Sequence, residues 1–171
     1  MRKTKTDVIV IGAGQAGLAI SYYLTKAKIE HIILERGSIA NAWKNERWDS
    51  FCLVTPNWTI TLPDALDYPV DPDAFMKKDD FVRLLENWAK SFRAPVIEGF
   101  CVSDLSRTEN EFKIVTDTRV FFANQVIIAT ATYQRPKIPQ MLINLDPRWE
   151  LKTAIDYKNP DSLREGAVLV I

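Results

Sequence analysis

Gly12, Gly14 and Gly17 stand in the order G-x-G-x-x-G, with Ala13 inside the first gap and Gln15 and Ala16 inside the second. Glycines at this spacing present bare backbone N–H groups to a phosphate. The first permits a tight turn, and the second lets phosphate oxygens reach the main chain. The third lets a following helix pack closely on a strand. A carboxylate, Glu35, follows 18 residues after Gly17 (35 minus 17). At a strand end, such a group accepts hydrogen bonds from a ribose diol and disfavours a 2′-phosphate. These residues therefore specify a site for a dinucleotide of the FAD or NAD kind rather than NADP. Arg36 follows, and either stacks on adenine or remains a solvated surface arginine.

A glycine triplet alone is a weak signal, and its flanking elements give it meaning. Asp7 to Gly12 is an apolar, β-branched run that suits a strand buried on both faces of a parallel sheet. From Gln15 to about Lys28, Ala16, Ala19, Ile20, Tyr23 and Leu24 recur at helical spacing. His31 to Glu35 reads as a second buried strand, with His31 in a structural role at its start. Strand, helix and strand make a right-handed crossover unit. Residues 36 to about 78 lose periodicity and carry Trp43, Trp48 and Trp58 with prolines at 56, 63, 69 and 72. A loop this long is expected to be functional. Asp79 or Asp80 then caps a helix running to about Phe92, with Phe81, Leu84, Leu85, Trp88 and Phe92 on its core face. The stretches 100–105, 111–116 and 120–123 predict a small antiparallel meander. Gln125 to Ala129 predicts another buried strand, residues 136–160 a connection, and Gly166 to Ile171 the start of one more buried strand.

The chain has 171 residues, 47% of them hydrophobic and 26% charged. Lys+Arg and Asp+Glu are both 22, so no basic surplus argues for nucleic acid or an anionic membrane surface. Arg2, Lys3 and Lys5 precede the first apolar run, but Asp7, three glycines and Gln15 interrupt it, which predicts a first strand rather than a targeting segment. No run approaches the ~18 apolar residues of a membrane helix. Cys52 and Cys101 form neither a Cys-x-x-Cys pair nor a metal cluster. They read as buried, reduced thiols of a cytoplasmic protein, and their separation disfavours disulfide exchange.

The layout after Glu35 separates FAD from NAD. A simple NAD dehydrogenase continues quickly into further β-α repeats, whereas here the long loop and the meander intervene. This resembles the FAD domain of flavoproteins with two dinucleotide-binding domains, and in detail the flavin-containing monooxygenase family. The opening Val-Ile-Gly12-Ala-Gly14-Gln-Ala-Gly17 is similar to that group. So are Trp43-Lys-Asn-Glu-Arg-Trp48-Asp-Ser-Phe, Leu53-Val-Thr-Pro56, and Ala129-Thr130-Ala131-Thr132-Tyr133-Gln-Arg-Pro136. Asp156-Tyr157-Lys-Asn-Pro160 matches the linker into that family's NADPH domain.

The resemblance implies an α/β, Rossmann-like three-layer fold. Residues 1–160 would form an FAD-binding domain and 161–171 the start of a second NAD(P)-binding domain, with the NADPH site in a C-terminal part not present here. It implies a chemistry in which NADPH reduces FAD and O2 adds at flavin C4a. The hydroperoxide then oxygenates a small nucleophilic N or S substrate, or inserts beside a carbonyl. Gly12 to Gly17 and Glu35 would hold the ADP half, Val102 would meet adenine through its backbone, and Ala129, Thr130 and Ala131 would border the flavin. Trp43, Thr55 and Asn57 lie either near the isoalloxazine, Asn57 with a catalytic role, or in the core and turns. Two departures stand out. Ala131 replaces the usual glycine, and Arg148 to Ile155 lacks the family's Phe-x-Gly-x-x-x-His pattern. The 171 residues alone are expected to be inactive. A flavin dehydrogenase or oxidase, or a non-catalytic nucleotide-binding module, is the alternative.

Overall fold

A computed structural model describes residues 4–65, 71–133 and 135–171. Arg2 and Lys3, loop residues 66–70 with Pro69, and Gln134 of the Ala129–Pro136 motif lie outside the described residues. The first unit is β1 (Thr4–Ile11), α1 (Gln15–Lys26) and β2 (His31–Glu35). There follow α2 (Asn41–Asn45), α3 (Lys78–Ser91), β3 (Val96–Glu98), β4 (Val102–Arg107), β5 (Phe112–Thr116) and β6 (Val120–Ile128). One six-stranded sheet has the order β3-β2-β1-β6-β5-β4. The pairs β3–β2, β2–β1 and β1–β6 are parallel, while β6–β5 and β5–β4 are antiparallel.

Period-two alternation along β1 explains the layering. Val8 and Val10 enter one core with Leu18 of α1, Ile33 of β2, and Phe81, Leu85 and Trp88 of α3. Ile9 and Ile11 enter a second core with Leu34 of β2, Ile114 of β5 and Phe121 of β6. The meander strands β5 and β4 continue the same sheet beyond β6, and apolar side chains of β5 and β6 pack with Ile9 and Ile11 on the face opposite the helices. Full burial of each such side chain contributes about 1.5–3 kcal/mol.

Several expectations need correcting. The meander's third piece and the strand expected at Gln125 are one strand, β6, which pairs with β1 from Phe121 to Ile128. Asn124 and Gln125 look like a break but simply face solvent, and the Asn124 side-chain amide donates to Asp7 Oδ1 at 3.0 Å. Lys77, not an aspartate, sits at the N-cap of α3, and Asp79 and Asp80 lie in its first turn, where their charge suits the helix dipole. Both cysteines are free and exposed rather than buried. Gly166 to Ile171 forms no strand, and Leu169 and Val170 are 83% and 89% exposed. An apolar run becomes a strand only against a sheet edge and a covering face, and these residues meet neither. His31 is structural as expected: it is buried, its Nε2 lies 2.7 Å from Ser21 Oγ, and its Nδ1 lies 2.9 Å from the Ile29 carbonyl.

The long loop is tied down in pieces. Leu53 N–H donates to the Met76 carbonyl, Asn57 N–H to that of Ala74, and Trp88 Nε1–H to that of Pro63. Tyr22 and Lys26 of α1 both donate to the Asp64 carboxylate. These bonds, Tyr22 first, hold the exposed Asp64 carboxyl below its ordinary range, and hydrogen bonding with Tyr22 and then Asp64 holds Lys26 above its own.

Candidate dinucleotide site

The C-terminal ends of β1, β2 and β6 meet where the glycine turn leaves β1. Gly12 has φ +105°, and a Cβ there would stand 2.6 Å from the Ala129 carbonyl oxygen, so backbone and space both demand glycine. A Cβ on Gly17 would stand 1.9 Å from the Gly12 carbonyl oxygen. Gly14 differs, because a Cβ there would meet nothing within 4 Å. It caps α1 with no side chain, and no acidic residue sits in the first turn. The N–H groups of Gly14, Gln15, Ala16 and Gly17 have no hydrogen-bond partner among the described residues. Gln15 and Ala16 are exposed. These four unpaired donors lie at the positive end of a 12-residue helix, with Gln15 and Ala16 exposed, Gly14 half-buried and Gly17 buried, a place where an anion is stabilised.

Ala13, between the glycines, is fully buried and spoken for. Its N–H donates to Glu35 Oε2 at 2.8 Å, and its carbonyl accepts from Ala40 N–H at 3.0 Å. Glu35, 7% exposed at the end of β2, also accepts from Gly37 N–H through Oε1 at 3.0 Å. No lysine, arginine or histidine pairs with it among the described residues. A carboxylate has about four acceptor directions, so two remain unused here.

Other sequence-chosen residues scatter. Ala129 N–H donates to the Ile11 carbonyl at 2.9 Å, which places Ala129, Thr130 and Ala131 beside the turn. Ala131 adopts φ +60°, so alanine occupies a left-handed conformation that favours glycine. Val102 opens β4 with its side chain against the second core. The chain reaches it past Glu35, since Phe100 N–H donates to the Glu35 carbonyl at 2.8 Å. Arg36 is exposed and paired with Glu46, the surface alternative. Trp43 packs edge-on against Phe81 at 4.9 Å, with the Arg47 guanidinium over its ring. Thr55 is exposed. Asn57 is 5% exposed, its amide donates to the Asp71 carbonyl, and its Oδ1 has no partner. Sequence reasoning missed Gly37 and Ala40. Gly37 is signalled only by its place two residues after Glu35, and Ala40 not at all, because its φ of +60° belongs to a residue type that rarely takes it.

Fold and corner together define a Rossmann-like dinucleotide-binding domain. The chain belongs to the pyridine nucleotide-disulphide oxidoreductase family, whose sequence profile matches residues 9–171. It is 37% identical over 167 residues to an uncharacterized CzcO-like oxidoreductase of Geobacillus kaustophilus, covering 96% of this chain and 47% of that protein. It is 30% identical over 168 residues to the probable indole-3-pyruvate monooxygenase YUCCA1 of Arabidopsis thaliana, covering 95% and 40%. Among solved structures, a flavin monooxygenase mutant from Stenotrophomonas maltophilia superposes with a TM-score of 0.73 at 26% identity, covering 80% and 41%. The complex of OTEMO with FAD and NADP shares the fold, with a TM-score of 0.70 at 17% identity, covering 81% and 28%. The resemblance to flavin monooxygenases is therefore borne out, and the chain spans about half the length of the curated relatives it matches.

Proposed function

We propose that this chain is the FAD-binding part of an NADPH-dependent flavin monooxygenase of the cytoplasm. One observation carries the proposal: four unpaired N–H groups and an open Gly14 stand beside a buried carboxylate that has no cation partner. That donor and acceptor set fits the pyrophosphate and ribose of an ADP moiety. Gly14 to Gly17 hold the phosphates, Glu35 holds the ribose diol, the Val102 backbone meets adenine, and Ala129 to Ala131 border the flavin ring. Residues 1–160 form the FAD domain and 161–171 lead into a second one for NADPH. When bound, FAD supplies hydride acceptance from NADPH and oxygen transfer from O2 to a small substrate.

The substrate reading is a nucleophilic N or S compound or a carbonyl compound. The name of the plant relative, which specifies a 2-oxo acid, supports the carbonyl class. The sequence carries a single G-x-G-x-x-G turn, so these 171 residues by themselves do not oxidise NADPH. Thiol–disulfide exchange is disfavoured because Cys52 and Cys101 form no Cys-x-x-Cys pair. The test is to denature the purified protein and identify the nucleotide released. FAD is expected, and NAD without flavin would overturn the reading.

A further inference from the structure

Ala13 is the buried middle residue of the glycine turn, and both its backbone groups are tied to the segment after β2. The N–H is held by Glu35 Oε2 and the carbonyl by Ala40 N–H. The second Glu35 oxygen is fixed in turn by Gly37 N–H. An unpaired buried N–H costs about 1–3 kcal/mol. Removing the carboxylate therefore penalises the turn itself, before any ligand is present.

Ala40 completes the tie. It is buried in the helix-side core yet adopts φ +60°. Such a conformation persists in a non-glycine residue only where its surroundings hold it. Packing of its methyl group and the bond to Ala13 both do so here. The Ala13 N–H, pulled toward Glu35, is withdrawn from the row of donors, and those of Gly14 to Gly17 have no partner among the described residues.

We infer that Glu35 is a positioning residue for the phosphate turn as well as a ribose acceptor. It clamps Ala13 so that the four free N–H groups are arranged in advance. The inference rests on reading the turn as a pyrophosphate site. A carboxylate that only received the ribose would have no effect on a ligand lacking ribose.

The probes are therefore ADP and inorganic pyrophosphate, titrated by amide NMR into the nucleotide-free chain and into two variants. Glu35→Gln keeps one acceptor, whereas Glu35→Met fills the space and keeps none. Pyrophosphate affinity is expected to fall in the order wild type, Glu35→Gln, Glu35→Met, by about tenfold at the last step, with ADP falling at least as far. Loss of ADP affinity with pyrophosphate affinity unchanged would overturn the clamp and leave the ribose role intact. A wild-type chain that binds neither probe would remove the phosphate site and the inference with it. Hydrogen exchange on the nucleotide-free wild type decides the clamp even if a variant fails to fold. Ala13 N–H is expected to exchange far more slowly than those of Gln15 and Ala16, and equal rates would overturn the proposal.

Discussion

The nucleotide corner and the stretch from Pro136 to Ile171 are both rich in apolar residues, yet they end in opposite states. In the corner, Ile9, Val10, Ala13 and Leu18 are wholly buried, and the N–H groups of Gly12, Ala13, Ala40 and Ala129 are all paired. In the C-terminal stretch, Met141, Ile143, Trp149 and Val168 to Ile171 stand largely exposed, with only two short 3₁₀ turns. Side-chain type is similar, and what differs is the partner. Every strand of the corner has a neighbour on each side or a covering layer, and residues 166–171 have neither. Burial here is a property of position in the sheet, not of hydrophobicity alone.

Substitutions can break or sharpen that contrast. The largest effect is expected from Phe121→Ala. Phe121 is 1% exposed, stands edge-on to Phe100 at 5.7 Å and joins the meander to β1. Its truncation should cost about 3–5 kcal/mol in urea unfolding. A loss below about 1 kcal/mol would mean the second core is not packed as described. Next comes Gly17→Ala, whose methyl group would collide with backbone, the Gly12 carbonyl. A cost of roughly 2–3 kcal/mol is expected, with loss of nucleotide binding in the same titration.

Ala131→Gly should act the other way. Relief of a left-handed alanine is worth roughly 1–2 kcal/mol, and the extra freedom of glycine in the unfolded chain takes back about 0.4–1. A net gain near 0.5–1 kcal/mol should appear as a higher Tm, and a lower Tm would show that the methyl group makes needed contacts. The smallest effect belongs to Val170→Ser, expected to change stability by less than about 0.5 kcal/mol. A larger loss would place Val170 against a neighbour.

The same contrast explains what was legible in the sequence. β1, α1, β2 and the stripe of α3 announce themselves because local periodicity and tertiary burial agree. The glycine turn was legible for a stricter reason: backbone oxygens stand 2.6 and 1.9 Å from the Cβ positions of Gly12 and Gly17, so no other residue type fits. β3 was not legible. It is three residues, two half-buried and one exposed, whose strand character comes from lying beside β2. The run 168–171 misled for the inverse reason, a strand composition without a strand's neighbours. Cys52 and Cys101 misled because composition reports how often cysteine is buried, not where these two lie. Ala40 and the clamp on Ala13 were invisible because they depend on backbone groups, which every residue carries.

The register of β1 on β6 has a consequence for how the protein is born. Val8 pairs with Gln125, 117 residues later (125 minus 8), and the Ala129 N–H continues the ladder from Ile11. A ribosome adding about 5–20 residues per second needs on the order of ten seconds to travel that distance. For that interval the nascent β1–α1–β2 unit has its glycine sequence in place, but neither the strand beside it nor the carbonyl that crowds Gly12. The phosphate turn, made before either of them, is among the last parts of the domain that can be completed.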